Sequence, residues 1–205
     1  MATRDLAGIG LGTWAADSRE AMTTVDDLWY LADEASQQAE QTYHRLAGDH
    51  EGVLEFETTK HVSRRRFRTV AARIEDNGAP YGAHTLVERP DGALLLVRHE
   101  ALGLWVLPGG ETREDETFRE GAARELTEEA GVEAVYDGLG MLGRVRFRSG
   151  GHETWGVLPL FEARAEGVTP TVEDPDGEIT KARWFIDLPE DTRDREHLET
   201  WREHR

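Results

Sequence analysis

The chain has 205 residues, 38% of them hydrophobic and 32% charged, with 41 acidic against 24 basic side chains and a net charge of −17. That length suits one ordinary domain with a small appendage, and the negative balance excludes broad binding to nucleic acid or to anionic membranes while leaving room for a local basic site. Cysteine is absent, which excludes disulfides, thiolate metal sites and cysteine nucleophiles together.

Residues 1–21 are mixed, Gly-rich and weakly periodic, and read as a flexible arm. Met22 is a second candidate start. The N-terminus lacks a basic start followed by an apolar stretch, so no secretory signal is read. No apolar run approaches the ~18–20 residues of a membrane span; Ala93–Val97 is typical of the longest. A cytoplasmic location is expected.

From Thr24 the pattern becomes helical. Leu28, Leu31, Ala32, Ala35, Ala39, Tyr43 and Leu46 recur at helical spacing, and Gly48 closes the run. Thr24 with Asp27 resembles a capping box in which Asp replaces Glu. A short extended piece over 52–57 follows. Ser63 then caps a second helix with Phe67, Val70, Ala71 and Ile74 on one face, stopped at Asn77-Gly78. Arg64, Arg65, Arg66 and Arg68 crowd its first turns. They read either as a solvated face balanced by neighbouring carboxylates or as a contact to phosphate or a partner subunit.

After Pro80 the texture turns to strands. His84–Glu88 and Ala93–Arg98 flank the turn Pro90-Asp91-Gly92, and Leu104–Leu107 runs into Pro108-Gly109-Gly110. A helix is expected over about 115–130, strands over 134–148, 154–163 and 179–186, and a polar terminal helix over 190–203. Residues 168–177 read as an acidic loop. Strands on both sides of one central helix predict an α/β layered domain over 80–205, preceded by a helical region over 22–79.

The stretch Gly110–Val132 holds eight acids and three bases. At about 100° per residue, Glu125, Glu128 and Glu129 share roughly 100° of helix surface. Like charges so placed repel by roughly 0.2–0.5 kcal/mol per pair. Glu128 and Glu129 also sit near the helix C-terminus implied by Gly131, where the dipole disfavours negative charge. Hard divalent cations reverse that cost, because Mg²⁺ and Mn²⁺ prefer clustered carboxylate oxygens. A solvated acidic face is the plainer reading of three helical glutamates taken alone. Gly121, on the same face one turn earlier, either clears space for a close neighbour or is simply tolerated at about 0.8–1 kcal/mol relative to Ala.

The pattern reads Gly110, five residues, Glu116, seven residues, Arg124-Glu125-Leu126, one residue, Glu128-Glu129, one residue, Gly131-Val132. This resembles the Nudix box at every defined position. The lead-in Trp105-Val106-Leu107-Pro108-Gly109-Gly110 and the later Ala182-Arg183-Trp184-Phe185 are similar to flanking strands of that superfamily. The similarity covers about residues 82–190. It implies a Nudix-type α/β/α sandwich with a mixed sheet, and a Mg²⁺- or Mn²⁺-dependent hydrolase that cleaves a diphosphate linkage in a nucleoside diphosphate derivative. By position it implies Glu125, Glu128 and Glu129 as metal ligands, with the Gly109 carbonyl as a further one. Glu125 or an acid outside the box would take the proton from water. Arg124 would pair with box carboxylates, Glu116 first, and hold them in place; an i→i+4 surface pair with Glu128 is the plainer role.

Some superfamily members add a carboxylate before the last strand. Glu178 is the candidate here, in competition with Glu173, Asp174 and Asp176. Packing is expected of Trp105 and Trp155 rather than base stacking, and structural roles of His84, His99 and His152. About 15–18 residues beyond the box stands Phe147-Arg148-Ser149-Gly150, without the Pro or Tyr that marks ADP-ribose or dinucleoside polyphosphate enzymes, so the substrate stays open between ADP-ribose or a nucleotide sugar and a nucleoside triphosphate. The appended helices mildly favour the larger substrates, through a pocket completed across a homodimer. A nucleotide-sensing module without turnover is the alternative. An isopentenyl diphosphate-type isomerase is disfavoured because it relies on a cysteine.

One compositional feature concerns the whole chain. Only Lys60 and Lys181 are lysines, so 22 of the 24 bases are Arg. A dense acidic, lysine-poor surface stays hydrated when salt screens charge, and the composition resembles that of proteins from salt-accumulating halophiles. A GC-rich genome that favours Arg codons is the competing explanation.

Overall fold

The computed structural model describes residues 14–50, 52–166 and 169–204, with side chains from Asp27 onward in the first helix. Its elements in chain order are α1 (Trp14–Gly48), β1 (Leu54–His61), α2 (Arg64–Asn77), β2 (Ala83–Glu88), β3 (Leu94–His99), β4 (Leu104–Val106), β5 (Gly109–Gly110), α3 (Phe118–Ala130), β6 (Val135–Ser149), β7 (His152–Arg164), β8 (Ile179–Phe185) and α4 (Arg195–Glu203).

The N-terminal boundary is corrected. Helix α1 begins at Trp14, within the arm expected over 1–21, while residues 1–13 lie outside the described residues. The segment after Thr13 lacks Gly and Pro and carries Ala15, Ala16, Arg19, Glu20, Ala21 and Met22, all strong helix formers. Thr24 therefore sits inside the helix rather than at its cap. The region 22–79 carries two helices around an extended piece, as expected, and that piece is longer than the expected 52–57. It is a full strand, β1, which joins the sheet in parallel with β6 from Leu54 opposite Met141 to His61 opposite Arg148.

The eight-stranded mixed sheet has the order β1-β6-β7-β2-β3-β4, with β5 added to β2 and β8 to β3. Strand β7 pairs antiparallel with β6 and parallel with β2. Central strands are buried on both sides, which explains the continuous apolar run Leu94–Val97. Alternation splits that run between two cores. Leu86, Leu94 and Leu96 join Met141, Val145 and Leu160 against α1, α2 and α4. Val87, Leu95 and Val97 join Leu126 and Ala130 of α3 on the opposite face. The result is an α/β/α sandwich.

Each helix follows from its sequence. Leu28, Ala32, Ala35, Ala39, Tyr43 and Leu46 of α1 are buried, and the alanines let α1 lie close to α2 and β7. There Thr154 Oγ1 donates 3.0 Å to the Ala32 carbonyl. In α2, Ser63 accepts from the Arg66 amide, Gly78 closes the helix in the left-handed conformation, and Phe67, Val70, Ala71 and Ile74 are buried. Helix α3 starts at Phe118, three residues later than the expected 115. Thr117 and Glu120 form a reciprocal capping box there, and Gly131 ends it in the left-handed conformation. Glu114, Asp115 and Glu116 therefore belong to the loop before the helix.

Candidate metal and phosphoanhydride site

A cleft of about 860 Å³ opens where α3, the end of β5 and the loop before β8 meet, and residues of α2 line it as well. Glu125, Glu128 and Glu129 all face it, with Gly109 and Gly110 along its floor.

Glu129 is the most deeply placed acid. It is 9% exposed and its Oε2 accepts from the Gly109 amide at 2.9 Å. Burial pushes its carboxyl up to about 8; the Gly109 amide opposes that, and the charges of Glu125, Asp174 and Glu178 add to it. Burial also raises Glu125, although Arg124 pulls the other way. The Glu125 carboxyl lies flat against β5. A Cβ on Gly110 would fall 2.9 Å from its carboxyl carbon, so glycine at 110 leaves the room that the carboxylate occupies.

Arg124 is the hub of the box. Its Nε and Nη2 donate to Glu116 Oε1 and Oε2 at 2.8 and 3.0 Å, a bidentate fork. Its Nη1 donates to Glu125 Oε1 at 2.8 Å and Glu128 Oε2 at 3.1 Å, and Nη2 reaches the Glu111 carbonyl at 2.9 Å. The hydrogen-bonded guanidinium holds Glu116 down to about 2, and the Arg113 amide helps; the same pairing raises Arg124 itself. Glu116 thus anchors the loop and the arginine. The surface pair with Glu128 exists as well, as one arm of this larger network. Arg113, which sequence reasoning had not singled out, adds a 3.2 Å contact to Glu128 Oε1.

The loop before β8 forms the other acidic side. Its backbone caps α3: the amides of Thr171 and Glu173 donate to the carbonyls of Ala130 and Glu128 at 2.8 and 3.2 Å, satisfying helix-end acceptors. This holds Asp174, Asp176 and Glu178 at the cleft. Asp174 is engaged in the loop's own turn, accepting from the amides of Asp176 and Ile179. Glu178 is exposed and lies 3.4 Å from His99 Nε2. Trp105 packs edge-on against Phe185 and Trp155 against Tyr43.

The donor set is carboxylate and carbonyl oxygen, the chemistry that suits hard divalent cations. The buried, destabilised anion of Glu129 and the glycine-shaped recess at Glu125 fit such an ion. As the side chains stand, no three acidic or His groups converge closely enough to hold a metal among the described residues, because Arg124 spans Glu125 and Glu128 while Glu129 turns to the Gly109 amide.

A family model described as the NUDIX domain matches residues 79–196, more than half of the chain. The chain belongs to the NUDIX family. Two curated relatives carry similar sequence. One, from Bacillus subtilis (strain 168) and described as a "Putative 8-oxo-dGTP diphosphatase", is 33% identical over 87 residues, 42% of this chain and 58% of that protein. Another, a "MutT-like protein" of Streptomyces ambofaciens, is 35% identical over 101 residues, 49% of this chain and 59% of that protein. The chain thus spans less than two thirds of the length of these relatives. Among solved structures, the NUDIX domain of Shewanella oneidensis NrtR complexed with ADP ribose is 21% identical, with 60% of this chain and 85% of that one covered and a TM-score of 0.49. The NUDIX match begins at residue 79, so α1, β1 and α2 precede it, yet Arg66 and Arg73 of α2 line the same cleft.

Proposed function

We propose that this NUDIX chain is a divalent-metal-dependent hydrolase that cleaves a phosphoanhydride linkage in a nucleotide derivative. The observation that carries the reading is the gathering of Glu125, Glu128, Glu129 and Gly109 in one cleft, with Arg124 tying the box carboxylates together. When bound, Mg²⁺ or Mn²⁺ would neutralise phosphate oxygens and lower the pKa of an attacking water. Glu125, Glu128 and Glu129 would hold it, with the Gly109 carbonyl alongside. Glu178 lines the same cleft, exposed and 3.4 Å from His99 Nε2, and would reach the ion or take a proton by turning from that histidine. Arg124 orients Glu125 and Glu128, and Glu116 fixes Arg124. The substrate is a nucleoside triphosphate, as the name of the Bacillus subtilis relative suggests, or a derivative such as ADP-ribose or a nucleotide sugar. The extension lines the cleft of its own chain, which supports a pocket completed without a second copy.

The test is a panel of nucleotides with Mg²⁺ and Mn²⁺ in which phosphate-containing products are identified. Metal-stimulated cleavage that is lost in Glu128→Gln without loss of fold is expected. Tight nucleotide binding with no metal-stimulated cleavage on any of them would favour a nucleotide-sensing module.

A further inference from the structure

Three cations gather around one aromatic ring beside the cleft. Lys60 Nζ lies 4.7 Å from the Tyr81 ring centroid and the Arg193 guanidinium carbon 5.7 Å from it. Arg66 lies near enough to Tyr81 that its charge favours the ionised phenol. Tyr81, Arg66 and Arg193 all line the large cleft, and Lys60 lies behind them on a cavity of about 30 Å³ that shares Tyr81, His84 and Arg193 with it.

These cations differ from the other bases of the cleft. Arg73 pairs with Glu111, Arg113 with Glu128, and Arg124 with three glutamates. Among the described residues Lys60, Arg66 and Arg193 form no ion pair with a carboxylate, in a chain with 41 acids to choose from. Burial pushes the Lys60 ammonium down to about 8; the charges of Arg193 and Arg66 add to this, and Asp194 partly offsets it.

Two features of the scaffold run against stability at the same place. Arg64, Arg65 and Arg66 occupy the first turn of α2, which holds no acid. There the helix dipole disfavours positive charge. Asp194, beside Arg193, is the one non-glycine residue with positive φ, at 54°, among the described residues, a conformation with a modest cost even for Asp. Arg193 is held in place by its own amide, which donates 2.8 Å to the Trp105 carbonyl, while the Trp105 amide donates 3.0 Å to Asp191. A folded chain that gathers unpaired cations by unfavourable means is stabilised when an anion arrives.

We propose that Lys60, Arg66 and Arg193 around Tyr81 form a phosphate site, so that the preferred substrate is a nucleotide ending in a phosphomonoester, such as a nucleoside triphosphate, rather than one ending in a neutral sugar. The inference rests on the hydrolase reading for its substrate but not for its site. Arg66 and Arg193 present donors at the cleft, and Lys60 adds charge from behind. Box glutamates would engage the scissile linkage through a metal, and this corner the far phosphate.

The first test excludes the metal. In EDTA at low ionic strength, inorganic phosphate is titrated into the full chain and followed by ³¹P NMR line width. Saturable binding is expected, weakened about five- to tenfold by Lys60→Met and by Arg193→Gln and not weakened by Glu128→Gln. No binding, or equal binding by Lys60→Met and Arg193→Gln, overturns the site. A second test, with Mg²⁺, compares kcat/KM for a nucleoside triphosphate and for the matching nucleoside diphosphate sugar. The ratio should favour the triphosphate and fall in Arg193→Gln through KM; a ratio unmoved by Arg193→Gln overturns the substrate assignment. Inactivity on both nucleotides would overturn the substrate assignment and leave the hydrolase reading to the wider panel, while the phosphate titration would still decide the site.

Discussion

At the scale of single residues, Glu129 carries the most informative charge. Its carboxyl is raised to about 8, so between the ordinary carboxylate range near 4.5 and pH 8 the folded chain binds more protons than the unfolded one. Its contribution to metal-free stability therefore falls as pH rises through that window. Metal binding requires the carboxylate. Below pH 8, apparent Mg²⁺ affinity should drop by about tenfold per pH unit, as read by calorimetric titration; an affinity flat from pH 6 to 8 would exclude Glu129 as a ligand. Glu129→Gln should lower kcat by about 100-fold or more while leaving the circular dichroism unchanged. Lys60 has the opposite sign. With its ammonium lowered to about 8, the folded chain holds fewer protons than the unfolded one between about 8 and 10.5, and the desolvated charge costs stability below that window. Lys60→Met should raise Tm at pH 7 while weakening phosphate binding, a trade of function for stability.

At the scale of elements, α3 turns three glutamates to the cleft while its other faces serve the core. Gly121 sets helix propensity against packing. Alanine there should gain about 0.8–1 kcal/mol of helix propensity, but its Cβ would stand 2.6 Å from Thr112 Cγ2 and 3.3 Å from Thr112 Cα in the loop that carries Glu111. Gly121→Ala should therefore destabilise by about 1–3 kcal/mol in urea unfolding, and a stabilised variant would show that the glycine is merely tolerated. Gly110→Ala meets only the end of the flexible Glu125 side chain. It should leave urea stability nearly unchanged and reduce activity by displacing that carboxylate. Contrasting outcomes for the two glycines follow from what each one faces.

At the scale of the whole molecule, the N-terminal extension and the NUDIX portion share one core. Leu28, Ala35, Phe67 and Ile74 pack with Leu86, Leu96, Val145 and Trp201, and β1 covers the edge of the long strand β6. A chain lacking residues 1–79 should expose that edge and aggregate; a soluble, cooperatively folding 80–205 fragment would show instead that the two parts are separable. The surface charge makes a separate prediction. With a net charge of −17, self-repulsion weakens as salt shortens the screening length from ~10 Å at 0.1 M to ~3 Å at 1 M. Tm should rise from dilute buffer to molar KCl, and equal stability in both would remove the case for adaptation to salt.

The sequence by itself determined whatever depends on neighbours a few residues apart. The helical face of α1, the Ser63 and Gly78 caps of α2, the buried run Leu94–Val97 and the spacing from Gly110 to Val132 are all local patterns, because helix and strand periods repeat within one or two turns. The fork from Arg124 to Glu116 was expected from the resemblance to the Nudix box and not from any local period, since Glu116 lies in the loop before α3. Only the tertiary structure decided the rest. Extended residues 52–57 gave no sign that they would grow into β1 and pair with β6, since strand partners are chosen by the sheet and not by the strand. The amides of the loop before β8 cap α3 and bring Asp174, Asp176 and Glu178 to the cleft, a long-range arrangement with no local signature. Lys60, Arg66, Tyr81 and Arg193 come from β1, α2 and the turns before β2 and α4, and their convergence depends on the order of strands that no local period encodes.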